Sequence, residues 1–428
     1  MNGSNWMQTL QKYAGKVQQN RYLKAVSNGL MSSLPILIIG AFATLFASIG
    51  WEPYQNLIEP IKGVLGIIST FSISIIALYA VFLIGYKLAE SFDKDPLTPG
   101  MIALTSFLIL TPLGNYDGDQ AIPLQWLGAE GLFVAIIVGL LVSRLYVWVL
   151  DRNWTIKMPT GVPPTVTKTF MGLIPAILVV IVVSIATGLF QLTPFENIHN
   201  LIYSYLQVPL EGLGGSLGGL IVALLVMQIL WLFGIHGAIV VTAVVQPIWM
   251  SLDLQNLEAY EAGLELPNII GMGFWFAYAN FAPMLGLIIL LAFRAKTKQY
   301  RQIGKLGLPG AFFGIHEPII FGIPIVLNPI LAVPYVLAPV ICAIIAYIFT
   351  VMGIIPSPNG VYPAFGTPIF GMGLILGSVK IAFFQLVLIP VCIAIYYPFF
   401  KILDKQGLQK EKSDENSTGS ESGEIATN

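Results

Sequence analysis

Ten apolar runs, most of them near twenty residues long, follow one another between Gly29 and Phe399. A run of that length spans the hydrocarbon of a bilayer as a helix, with its backbone groups satisfied internally. The runs lie near 29–50, 66–88, 98–113, 128–150 and 170–190, then near 216–234, 237–251, 268–293, 326–352 and 371–399. The two shortest, 98–113 and 237–251, read as tilted or partly re-entrant. Charge is correspondingly scarce. Charged residues make up 10% of the 428 positions and hydrophobic ones 56%, whereas a soluble domain is about a quarter charged. Such a chain cannot clothe a water-facing surface. The fold class that follows is an all-α membrane protein of about ten transmembrane helices plus re-entrant hairpins, arranged as two five-span halves.

Charge placement orients the spans. Lys12, Lys16, Arg21 and Lys24 precede the first run, which puts the N-terminus in the cytoplasm. Alternation then brings Lys87, Lys94, Arg152, Lys157 and Lys168 inside, together with the basic loop Arg294–Lys305. The stretch Ser251–Pro267, with Asp253, Glu258, Glu261 and Glu265 and no basic residue, falls outside as a loop. Both termini are expected in the cytoplasm of a bacterial cell, with the chain multi-pass in its inner membrane.

Residues 1–28 form an amphipathic N-terminal segment, because Trp6, Leu10, Tyr13 and Val17 recur at helical spacing with the lysines on other faces. It is not expected to be a cleaved signal, since the first apolar run continues past Ala41 and Ala43. The prolines at 159, 163 and 164 stiffen the Asp151–Lys168 loop and mark the boundary between the halves. One half is 29–168 with span 170–190; the other is 191–403. Residues 404–428 turn polar and are expected to be a disordered cytoplasmic tail.

Several classes are excluded. A net charge of −1 leaves no basic stripe for nucleic acid. There is no phosphate-cradling glycine loop, dinucleotide fingerprint or metal-ligand cluster, so no cofactor and no metal are expected. Cys342 and Cys392 sit in apolar runs without the spacing of a disulfide framework or metal site; they read as packing residues.

Ionisable groups at membrane depth are costly and therefore tend to face a cavity or a partner. Four qualify: His236, His316, Glu317 and Lys380, all in the second half. Glu317 lies in a stretch with glycines at 310, 314 and 322 and prolines at 309, 318 and 324, which prevents one continuous helix. Broken backbone at this depth lines a cavity or packs on protein, so a re-entrant hairpin with its tip near Glu317 is expected. The competing reading is a cytoplasmic loop in which Glu317 caps a helix. His236 sits between Gly234 and Gly237, which allow close backbone approach; as a lone buried histidine it is equally readable as packing. His316 reads as a supporting residue, and Lys380 as an acid's partner, a snorkelling residue or a pathway residue. Neutral sugars are held by hydrogen bonds to hydroxyls and by aromatic rings on their C–H faces. Asn280, Asn359, Phe365 and Thr367 are candidates for that work.

Phe233-Gly-Ile-His-Gly, followed about eighty residues later by His316-Glu-Pro-Ile-Ile-Phe-Gly, resembles the membrane subunit (IIC) of the sugar phosphotransferase system, in its lactose/cellobiose/diacetylchitobiose branch. The resemblance runs over nearly all of 1–403. It implies a homodimer with the first five spans as scaffold, and a second half with two re-entrant hairpins that carries the sugar. It also implies uptake of a β-linked disaccharide, phosphorylated on its 6-hydroxyl by the phosphocysteine of a separate IIB subunit that IIA recharges. Glu317 and His236 then take the catalytic roles, Glu317 orienting the hydroxyl and His236 bonding the same oxygen. The substrate-binding set implied is Glu317, His236, Gly237, His316, Asn280, Phe365 and Thr367. His316 and Phe365 depart from the Ser or Thr and the Trp common at these positions. The alternatives are a proton-coupled secondary sugar transporter without phosphorylation and a sensor that has lost transport.

Overall fold

The side-chain oxygen of Asn20 accepts from the backbone N–H groups of Tyr22 and Leu23 at 2.9 and 3.1 Å. This cap separates α1 (Gly3–Gln19) from α2 (Arg21–Ala47). The first spanning helix therefore starts within the segment 1–28 that was expected to be wholly amphipathic. The computed structural model describes residues 3–425 apart from 48–50, 117, 160, 324, 327, 364 and 365. Phe365 lies outside the described residues, and so does the side chain of Glu317.

The first half continues through α3 (Glu52–Thr70), α4 (Ile76–Glu90), α5 (Leu97–Leu110), α6 (Leu132–Asp151) and α7 (Pro164–Gln191). The run 66–88 is not one helix, because the turn 71–75 divides α3 from α4. Between α5 and α6 a short hairpin pairs Gly114–Tyr116 with Asp119–Ala121. α4 is central to this half, packing against α2, α5 and α6. Ile84 on α4 is fully buried, with Gly29 of α2 and Gly139 of α6 both lying against it. Small residues at helix crossings allow such close approach where hydrophobicity gives no advantage over lipid. At one end of this half Lys94 meets Asp151 at 2.9 Å and Lys168 meets Asp95 at 3.6 Å. The loops expected to share a membrane face thus come together.

The second half comprises α8 (Ile198–Ile202), a π-helical turn Tyr203–Gln207, α9 (Val208–Gly214), α10 (Leu217–Leu232) and α11 (Gly237–Glu261). It continues through α12 (Met272–Phe274), a second π-helical turn Trp275–Asn280 and α13 (Phe281–Arg294). Then come α14 (Lys298–Phe312), α15 (Glu317–Gly322), α16 (Pro329–Val351), α17 (Ile369–Ile375) and α18 (Val379–Ile425). α15 folds back along α14, since Gly307 lies against Ile319 and Gly322 against Ile303. α17 folds back along α18 in the same way, with Gly373 against Ala382.

Seven of these helices are long and apolar enough to cross a membrane; an eighth span results if Ile198–Gly214 and Leu217–Leu232, bent by 70°, are taken together. Each of the ten expected runs contains a helix, but α4, α5 and α10 have only 15, 14 and 16 residues. The fold class is that of an all-α membrane protein.

A further expectation is corrected. α11 runs on to Glu261, so Asp253 and Glu258 belong to a helix rather than an outer loop. Both have structural partners: the Asp253 carboxylate accepts from Gly273 N at 3.0 Å and the Glu258 carboxylate from Ala129 N at 3.0 Å. The segment 404–428 continues α18 as far as Ile425. Its first turns are anchored because Asp404 accepts from Lys296 N and Thr297 N at 2.9 Å each and Glu411 accepts from Gln299 N at 3.1 Å. Those acids occupy the otherwise unpaired N–H groups at the start of α14. Cys342 and Cys392 are buried free thiols with their sulfurs 3.1 Å apart between α16 and α18, where they pack the two helices together.

Candidate sugar site

α10 stops at Leu232, and the chain turns at Gly234 with φ +74° before α11 begins. His236 is the residue that caps α11: its Nδ1 accepts from Ile239 N at 3.3 Å. A ring nitrogen that accepts carries no proton, so the neutral ring has its proton on Nε2. The imidazole lies over Trp231, with ring centroids 4.3 Å apart. Both rings line a cavity of about 400 Å³, within the range usual for small-molecule sites.

The cavity lies where α2 and α10–α13 meet the α14–α15 turn, α16 and α18. The π-helical turn supplies one wall. A π turn packs an extra residue into the helix and is frequent at functional sites, and here it turns Trp275, Phe276, Ala279 and Asn280 to the cavity. The start of that helix is fixed by Asp253, 3% exposed, whose carboxylate bonds Gly273 N.

The α14–α15 turn supplies another wall. Gly314 has φ +76°, and a β-carbon there would meet the Phe281 ring. The turn thus breaks where the glycines and prolines predict. Gly314, His316 and Ile320 line the cavity. His316 is 7% exposed, and its Nε2 has no hydrogen-bond partner. Glu317 opens α15 between two of these lining residues.

His236, His316 and Asn280 are therefore brought together at one cavity. Gly237 is not on its wall. It is buried against α10, where a β-carbon would overlap the Met227 carbonyl, and its role is to let the two helices cross. Thr367 does not line the cavity among the described residues. Asn359 is a clasp: its amide donates to Ile375 O at 3.2 Å and its side-chain oxygen accepts from Val361 N at 3.1 Å. Lys380 is exposed in the first turn of α18.

Gln246 and Tyr396 are among the cavity residues missed from sequence. Gln246 is 3% exposed and Tyr396 is fully buried, and both Gln246 Nε2 and Tyr396 Oη lack a partner. A buried polar atom left unpaired costs about 1–3 kcal/mol. Both residues, like His316, whose Nε2 is also unpaired, line a cavity walled by indole and phenyl rings. Apolar ring faces beside neutral donors and acceptors suit an uncharged polyhydroxylated ligand.

A multi-pass helical protein with a ligand-sized, aromatic-walled polar cavity between its two halves is a small-molecule transporter. Residues 27–339 match the phosphotransferase system EIIC family, and the chain belongs to it. It is the membrane component of a sugar phosphotransferase permease, which works on a sugar with phosphotransfer partners such as IIB. The chain is 37% identical over 421 residues to the oligo-beta-mannoside-specific EIIC component of Bacillus subtilis (strain 168), covering 95% of each. It is also 37% identical to the cellobiose-specific EIIC component of Geobacillus stearothermophilus, covering 94% of each. Its structure is similar to the crystal structure of ChbC, the IIC component of the N,N'-diacetylchitobiose-specific phosphotransferase system. The TM-score is 0.88 at 35% identity, covering 94% of this chain and 99% of that one.

Proposed function

We propose that this chain binds a β-linked disaccharide in the Trp231–His236 cavity and passes it inward as a separate IIB subunit phosphorylates its 6-hydroxyl. The observation that carries this reading is the pairing of aromatic walls with the polar residues His236, Asn280 and His316 at one cavity of about 400 Å³. The relatives named for cellobiose and oligo-beta-mannosides support the β-linked class.

Phosphoryl transfer rests mostly on positioning and electrostatics. His236, with Nδ1 engaged by Ile239 N, presents its Nε2 proton to the sugar oxygen. Glu317, opening α15, orients the 6-hydroxyl and accepts its proton. IIB supplies the phosphoryl group and IIA recharges it. The N-terminus, the C-terminus and the Arg294–Lys305 segment face the cytoplasm, as their basic residues indicate. The protein works as a homodimer through its first half. The α7 span, buried over only 17% of its apolar window, supports this assignment.

Membrane vesicles supplied with phosphoenolpyruvate, the general phosphotransfer proteins, IIA and IIB test the reading. Labelled cellobiose or mannobiose is expected inside only as its 6-phosphate. Free disaccharide accumulating on a proton gradient alone would establish proton-coupled transport instead.

A further inference from the structure

Asn256, 2% exposed near the end of α11, holds two loops at once. Its Oδ1 accepts from Asn268 N at 2.8 Å, and its Nδ2 donates to Asn268 O at 2.7 Å and to Pro358 O at 2.9 Å. All three partners are main-chain groups that only donate or only accept, so together they fix which way the carboxamide points. Asn268 belongs to the non-helical stretch before α12, and Pro358 to the one between α16 and α17. Irregular backbone inside a membrane protein must find such partners.

Each loop leads to a ring on the cavity wall. Beyond Asn268 the chain enters the π-helical turn that carries Phe276. Beyond Pro358 it reaches Tyr362, which lines the same cavity. The second loop lies flat on α11: Gly360 has φ +87°, and a β-carbon there would overlap the Asp253 carbonyl oxygen. Its other side is held by α17, because Asn359 N donates to Leu376 O at 3.2 Å. Phe276 and Tyr362 then meet edge to face, with ring centroids 5.5 Å apart and planes at 77°, a favoured aromatic geometry.

We infer that Tyr362 is a sugar-contacting residue whose ring, braced by Phe276, takes the C–H face of one sugar unit, and that Asn256 is its positioning residue. This rests on the disaccharide reading of the cavity and deepens it with two residues outside the motif-bearing turns. The Tyr362 hydroxyl meets the Met31 sulfur at 3.8 Å, so the ring face is the part of this side chain assigned to the sugar. Asn256 acts before any ligand arrives, by holding that ring in the place where it is used.

The test is a double-mutant cycle on disaccharide binding, measured by calorimetry on the purified full chain with cellobiose and mannobiose. Tyr362→Leu is expected to weaken binding about tenfold, as for loss of a well-packed aromatic contact. Tyr362→Phe keeps the ring and is expected to bind as wild type does. Asn256→Ala leaves the ring present but loosely placed. If Tyr362 then occupies its position about a third of the time, Kd rises about threefold. In the Tyr362→Leu background the Asn256 substitution is expected to add no further loss, because its effect passes through the missing ring.

Wild-type binding by Tyr362→Leu overturns the assignment of the ring. An Asn256→Ala penalty of the same factor with and without the ring overturns the positioning role. So does a fall in the fraction of active protein with Kd unchanged, which is the signature of a merely structural residue. Should Asn256→Ala fail to fold, Asn256→Ser replaces it, and failure of both marks Asn256 as structural. If the wild-type protein binds neither disaccharide, the reading of the cavity falls first and this inference with it.

Discussion

Gly237 lies against the carbonyl oxygen of Met227 with no room for a β-carbon between them. That contact sets how closely α10 and α11 approach, and it lies one residue from the imidazole of His236 that opens onto the cavity. Gly237→Ala is expected to destabilise the protein by about 2 kcal/mol through overpacking. It should also weaken disaccharide binding, because α11 must shift and His236 caps it. A thermal midpoint in detergent and a calorimetric Kd check both; an unchanged midpoint would mean that the crossing is looser than described.

Asp253 acts from a distance on the same site. Its buried carboxylate holds Gly273 N, at the start of the helix that carries Trp275, Phe276 and Asn280 to the cavity. Asp253→Ala leaves a buried N–H unpaired and is expected to cost about 2 kcal/mol of stability. Asp253→Asn retains an acceptor and is expected to lose less. Thermal melts of the two variants rank them, and equal loss would show that the negative charge, not the acceptor, is what counts.

Asp404 closes the other end of the second half by accepting from Lys296 N and Thr297 N. Asp404→Ala removes a helix cap and is expected to cost about 1–2 kcal/mol. Cleavage by trypsin after Lys296, Lys298 or Arg301 should quicken in membranes, as α14 loosens from α18. A cleavage pattern identical to wild type would leave the clasp without consequence.

The two residues proposed for catalysis should separate in kinetics. Glu317→Gln is expected to abolish uptake while membrane insertion, read by fractionation, stays intact. His236→Ala is expected to slow phosphorylation about 100-fold, in the range of a lost acid–base contact, with a smaller effect on binding. Retained turnover in either variant removes that residue from the mechanism.

Much of the fold was legible because apolar length speaks directly for membrane helices. The breaks that carry glycine or proline were legible too, and Gly314 is one of them. The turn 71–75 was not. Phe71-Ser-Ile-Ser-Ile contains no glycine or proline, so the run reads as one helix although the chain bends there. The first half of α14 was read as part of the loop Arg294–Lys305 because Lys298, Arg301 and Lys305 dominate its composition. Its apolar positions become visible as a face only once α15 folds back on it.

The site was legible in part, and for a definable reason. Ionisable residues drew the eye to His236, His316 and Glu317, and two of those described line the cavity. Gln246 and Tyr396 are uncharged and were passed over, although a lone glutamine in Ala243-Val-Val-Gln-Pro is a comparable oddity in an apolar run. Thr367 and Asn359 stand apart from the residues that line the cavity among those described. A polar residue beside glycines and prolines in a loop more often ties that loop down than meets a ligand, as the Asn359 bonds to Ile375 and Val361 illustrate.

Met31 and Ser27 of α2 face the same chamber as Tyr362 and Gln246 of the second half. The chamber is therefore a seam rather than a cup, and neither group of helices walls it alone. Any excursion of one half past the other must open this seam and rebuild it elsewhere. On the proposed reading of the chamber as the sugar site, loading and release are two positions of a single joint, with the cargo itself among the things that hold it shut.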